Sequence, residues 1–218
     1  MLQANTLIFL ENLAANNHKE WLEANRKIYE TARKDFEGFV QSILNQLATT
    51  EDGFIEQRAK DCMFRIFRDV RFSKNKDPYK TNFGAVFSKR GKKDVGGGYY
   101  VHLEPNKSFI GGGIWQPEPD MLKKIRQEID YNFDEFNAII SSNAFKKYFT
   151  QIDGEQLKKP PKGYEATNPA IEFLKLKSFT VGTHLKDESF TQKGIEDKVL
   201  HIFHAMQPFI AFLNRAVE

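Results

Sequence analysis

With 218 residues, 40% of them hydrophobic and 28% charged, the chain is long enough for a sizeable core and ordinary in composition for a globular protein. Its 20 phenylalanines argue against a disordered chain, and its one cysteine excludes an intrachain disulfide. No apolar run approaches the roughly 20 residues of a membrane helix, and MLQANTLIFLENLA lacks the basic start of a signal peptide, so a cytoplasmic protein is expected.

In chain order, Thr6 to Ala15 reads as a short helix capped by Asn5. Asn17-His18-Lys19-Glu20 resembles a capping box, with Asn17 as cap and Glu20 at the third helical position. Behind it, Trp21, Ala24, Ile28, Ala32, Phe36, Phe39, Val40, Ile43 and Leu47 recur at helical spacing, which predicts one long helix to about Ala48. Glycine-rich alternation then predicts strands over Met63 to Val70, Phe83 to Lys89, Tyr99 to Glu104 and Ser108 to Ile114, in an antiparallel meander. From Pro119 the pattern is helical again. Lys158 to Tyr164, with its paired prolines, is irregular. Asn168-Pro169 starts a helix, and Thr191 to Ala216 forms the last one, with Pro208 as a kink. Without repeats, low-complexity segments or linkers, the expectation is a single α+β domain over 1–218, a mostly antiparallel sheet packed against long helices.

Charge is distributed unevenly. Between Arg58 and Lys93 lie 12 Lys and Arg against 3 acids, a local +9 in a chain of net +3, which leaves −6 for the rest. Such a field favours an anionic partner. Its centre is FRIFRDVRFSKNKDPYKTNFG, Phe64 to Gly84. Read as a strand, Met63 to Val70 has no wholly apolar face: Phe64, Ile66 and Arg68 point one way, Arg65, Phe67 and Asp69 the other. Arginine forks bind phosphates and carboxylates bidentately, and lysines act as point charges. The candidate anion-binding residues are therefore Arg65, Arg68, Arg71, Lys74, Lys76, Tyr79 and Lys80, with Arg68 and Arg71 as the clamp and Lys76 and Lys80 neutralising the charge. A solvated loop with scattered ion pairs stands beside that reading.

Four further features bear on chemistry. Gly111-Gly112-Gly113-Ile114-Trp115 lacks a P-loop or GxGxxG spacing, and Glu118 and Asp120 at the following helix start repel an anion, so close backbone packing is preferred. Gly112, Gly113, Trp115 and Lys162 remain candidate pocket-lining residues. Along Tyr99 to Glu104, alternation puts Tyr100, His102 and Glu104 on one face. His102 and Glu104 are the one acid–base pair worth testing for catalysis, although a polar outward strand face explains the same spacing. His201 and His204 lie three apart on a helix without further ligands, so no metal site and no cofactor are expected. Cys62, between apolar neighbours, reads as a buried inert thiol.

Arg65-Ile66-Phe67-Arg68-Asp69-Val70-Arg71-Phe72-Ser73-Lys74 with Lys76 and Pro78-Tyr79-Lys80, then Gly111 to Trp115 with Pro117, then Pro160-Pro161-Lys162-Gly163-Tyr164, stand in one order behind Phe9-Leu10 and Asn25-Arg26. Together these motifs resemble domain-of-unknown-function family 2461, over nearly the whole chain. The resemblance implies one domain and supplies no activity. Three functions fit the residues: binding of, or catalysis on, a phosphorylated or otherwise anionic small molecule at a basic cleft; a nucleic-acid-binding module, with Phe67, Phe72 and Tyr79 interleaved among cations; and a structural role in which the arginines pair with acids from the helices.

Overall fold

The computed structural model describes residues 1–217. In chain order these form Ala4–Ala15 (α1), Lys19–Ala24 (α2), Arg26–Leu47 (α3), Ala59–Cys62 (α4), Phe83–Phe87 (β1), Gly98–Leu103 (β2), Phe109–Ile114 (β3), Pro119–Tyr131 (α5), Phe133–Ser141 (α6), Asn143–Lys146 (α7), Ile171–Leu174 (α8), Phe179–His184 (β4), Asp187–Phe190 (α9) and Ile195–Val217 (α10). The four strands make one antiparallel sheet in the order β1-β2-β3-β4, and the class is α+β.

Several expectations need correction, each for a local reason. The long first helix is two: α2 and α3 break at Asn25 (φ −105°, ψ 19°), whose amide donates back to the Trp21 carbonyl at 2.9 Å. A short amide that bonds its own backbone competes with the helix. The cap of α2 is His18, whose ring accepts from the Trp21 N–H at 3.4 Å. Asn17 is engaged elsewhere, exchanging hydrogen bonds with the Tyr79 backbone at 3.0 and 3.1 Å. Asn132 (φ −119°, ψ 39°) likewise separates α5 from α6. The last helix begins only at Ile195, behind Gly194, whose φ of +83° belongs to the left-handed region. Met63 to Val70 is not a strand; it makes only isolated bridges, Met63 to Ala85 and Phe67 to Tyr79. Strand β4 had no counterpart among the expected strands.

The chain divides into two compact units. The first comprises Met1–Lys93, Tyr100–Ile110 and His184–Leu200. Its core is aromatic: Phe83 of β1 stacks on Phe36 of α3 (5.5 Å between centroids) and on Phe9 of α1 (6.2 Å), and Phe39 meets Phe190 edge-on at 6.3 Å. Val40, Ile43 and Leu47 continue the buried stripe of α3. The second unit comprises Asp94–Tyr99, Gly111–Thr183 and the chain from His201. There Phe136 of α6 packs against Phe173 (5.2 Å) and Phe212 (5.2 Å), and Tyr99 stacks on Phe203 at 4.5 Å. Asn214 of α10 pairs with both backbone groups of Gly97, at 2.6 and 3.2 Å.

Candidate functional site

The basic segment behind α4 is a loop that closes on itself. Arg68 N–H donates to the Pro78 carbonyl (2.9 Å) and Lys80 N–H to the Ile66 carbonyl (2.7 Å). Its cations brace it. Arg68 donates to the Asp77 carbonyl at 2.9 Å and the Ser73 hydroxyl at 3.3 Å, and Lys76 donates to the Val70 carbonyl at 3.0 Å. Arg71 forks onto Asp69, Nε to Oδ1 at 3.0 Å and Nη2 to Oδ2 at 2.7 Å. Tyr79 is buried and edge-on to Phe67 at 5.4 Å. Lys80 is half-buried, its Nζ 5.2 Å from the Phe64 ring centroid; burial first, then Arg65, lowers its pKa. Lys74 is exposed on the loop.

Arg65 leaves this network. It lines a cavity of about 270 Å³ with Arg33 of α3, Lys60 of α4 and Lys92, and no carboxylate is among the lining residues. Tyr29, Phe64, Phe67 and Phe83 supply an aromatic wall. Lys92 Nζ is fixed by the Met63 and Lys60 carbonyls at 2.5 and 3.1 Å, and Arg33 lies 3.7 Å from Glu37. Neither the Arg65 guanidinium nor the Lys60 amine has a hydrogen bond or ion pair among the described residues. Arg33, Lys60 and Lys92 were not singled out by sequence. They come from three separate segments, and on a helix surface an arginine such as Arg33 looks like any solvated residue.

Along β2, Tyr99, Val101 and Leu103 are buried, which leaves Tyr100, His102 and Glu104 to the other face. His102 Nε2 lies 3.2 Å from Glu104 Oε2, and His102 Nδ1 lies 3.1 Å from the Tyr100 hydroxyl and 3.4 Å from the Asn82 amide. A carboxylate only accepts, so Nε2 carries the proton and Nδ1 accepts. The Thr81 hydroxyl donates to Glu104 Oε1 at 2.7 Å, and the His102 ring stacks on Phe109 at 4.7 Å. Burial pushes the His102 pKa down and outweighs Glu104, so the imidazole is neutral at neutral pH. Burial raises the Glu104 carboxyl, but the bonds from Thr81 and His102, with Lys107, hold it below its ordinary value. Burial, then Glu104, pushes the Tyr100 phenol up to about 12. Room for that hydroxyl comes from Gly84, where a Cβ would lie 2.4 Å from it. Alternation along one strand made the three same-face residues legible. Thr81, Asn82 and Gly84 became partners only through strand pairing.

A titration signature follows. Because His102 is held below 6.5, the unfolded chain takes up its proton more readily than the native one. Its contribution is whole above about pH 6.5 and is lost as pH falls through 6.5 towards the lowered native value. In urea unfolding at stepped pH, His102→Gln should flatten the decline that begins below that value. An unchanged slope would remove His102 from the linkage.

A family model described as a conserved hypothetical protein, DUF2461, matches residues 5–212. The chain belongs to the DUF2461 family. No curated protein and no solved structure matches it. In this DUF2461 chain the basic cavity is part of the first unit, and Gly112, Gly113, Trp115 and Lys162 are part of the second. A Cβ on Gly112 would meet Met206 Sδ at 2.5 Å and the Gly98 carbonyl at 2.7 Å, which is the close backbone packing that the sequence favoured. Trp115 is 69% exposed, and Lys162 is exposed on its irregular turn. Among the described residues no three His, Cys, Asp or Glu side chains gather to hold a metal, and no helix is long and apolar enough to cross a membrane. Cys62 is fully buried, and burial pushes its thiol up to about 11.

Proposed function

We propose that the basic cavity of this DUF2461 protein binds a phosphorylated or carboxylated small molecule. One observation carries the reading: Arg33, Lys60, Arg65 and Lys92 line one cavity of about 270 Å³ that no carboxylate lines. Glu37 pairs with Arg33 from outside the lining, and an anion entering the cavity would face four cations and no lining carboxylate. Arg65 takes the role of the clamp, since Arg68 and Arg71 are spent within their own loop. The aromatic wall suits a ligand with an apolar body. His102 and Glu104 are not among the residues that line this cavity, so the reading is one of binding and assigns them no step.

The test is calorimetric titration with inorganic phosphate, sugar phosphates and mononucleotides. Arg65→Ala should weaken binding about tenfold or more, the usual cost of a charge-assisted hydrogen bond. It should leave the melting temperature of the free protein unchanged, because Arg65 is exposed. Arg68→Ala should leave affinity in place. Equal affinity in wild type and Arg65→Ala overturns the assignment.

A further inference from the structure

We infer that the loop from Ile66 to Lys80, together with the mouth of the basic cavity, forms a binding surface for single-stranded nucleic acid. The inference rests on the anion-site reading and names a polymer as the source of the phosphate. Its first observation is Phe72, which is 96% exposed; Phe67 and Phe64 are 53% and 40% exposed. A ring held wholly in water gains nothing from burial. Nor is Phe72 on a slack tether, because the Arg68, Arg71 and Lys76 bonds brace the loop on both sides of it.

The second observation is the pairing of rings with cations. The Arg71 guanidinium sits 5.8 Å from the Phe72 centroid, and Lys80 Nζ sits 5.2 Å from that of Phe64. Phe64 and Phe67 line the same cavity as Arg65. Single strands are held by this combination: bases stack on aromatic faces in a sequence-tolerant way, and the phosphates between them would meet Arg65 and the exposed Lys74, since Arg71 is held by Asp69. The stretch from Arg58 to Lys93, which contains the loop, carries +9 against −6 for the rest of the chain, a charge balance that suits a polyanion. Stacked duplex bases offer no face to such rings, which selects an unpaired strand. A lone aromatic tip among cations would also suit a lipid surface. Two of the three rings here line a concave cavity, and a bilayer does not fill one.

The experiment is fluorescence anisotropy of fluorescein-labelled oligothymidylate and oligouridylate, twelve nucleotides long, at rising salt. The proposal expects binding that weakens steeply with salt. Phe72→Ala should weaken it about 5- to 150-fold, the range for losing one stacked base, while calorimetric binding of inorganic phosphate is unchanged. Arg65→Ala should weaken both. Phosphate binding without oligonucleotide binding overturns this inference and leaves the small-anion reading standing; loss of both in the wild type overturns both. Oligonucleotide binding indifferent to Phe72→Ala overturns the surface assigned here. Phe72-dependent sedimentation with phosphatidylserine-containing vesicles, without oligonucleotide binding, assigns the loop to a membrane surface instead.

Discussion

Gly113→Ala should cost about 3 kcal/mol or more of stability, from backbone strain plus steric overlap. Gly113 sits in β3 at φ +118°, a conformation that L side chains rarely adopt. A Cβ there would lie 2.0 Å from the Phe179 carbonyl oxygen and 3.0 Å from the Thr180 Cα. Both are backbone atoms of β4, so no side chain can step aside, and relief requires β3 and β4 to part. Urea unfolding followed by far-UV circular dichroism should show a clearly lower midpoint. A midpoint at the wild-type value would mean that β4 moves away at little cost, and would refute the close approach.

Phe36→Ala should cost about 3–5 kcal/mol, the usual range for removing a buried aromatic ring. Phe36 is fully buried on α3, with its ring 5.5 Å from Phe83 and 6.3 Å from Phe39. Deleting it opens a cavity between the helix and β1 that neighbouring rings cannot fill without leaving their rotamers. A typical domain has about 5–15 kcal/mol in hand, so a loss of this size reaches much of the total. The same denaturation experiment reads it, and a cost below about 1 kcal/mol would contradict the packing, since exposed sites rarely exceed about half that. This variant also contrasts with Arg65→Ala: loss of phosphate binding should track unfolding in Phe36→Ala and leave the melting temperature untouched in Arg65→Ala.

Periodicity made much of the fold readable. Apolar residues at helical spacing marked α3 and α10, and alternation marked β2, because in each case one face is buried within a short span of chain; β1 and β3 are buried through consecutive residues. The helix breaks at Asn25 and Asn132 were less visible. Asparagine tolerates a helix interior, and only its own back-bonding or backbone geometry ends one. Met63 to Val70 failed as a strand because it has no consistent apolar face; Ile66 is buried while Phe64 and Phe67 are exposed.

The α+β class, the family motifs and the concentration of positive charge are legible in the residues alone, since each is a property of composition or of short-range spacing. What each cation does depends on the folded chain. Arg68 and Arg71 found acceptors within nine and two residues and became braces, whereas Arg65 met Arg33, Lys60 and Lys92 across a cavity. The same distinction separates His102 from its partners: Tyr100 and Glu104 lie two residues away on one strand, but Thr81 and Asn82 reach the site through the pairing of a neighbouring segment. Local spacing dictates which groups share a face, whereas the meeting of Arg65 with Arg33, Lys60 and Lys92, of Glu104 with Thr81 and of His102 with Asn82 depends on chain closure over longer separations, which leaves no periodic trace in the sequence.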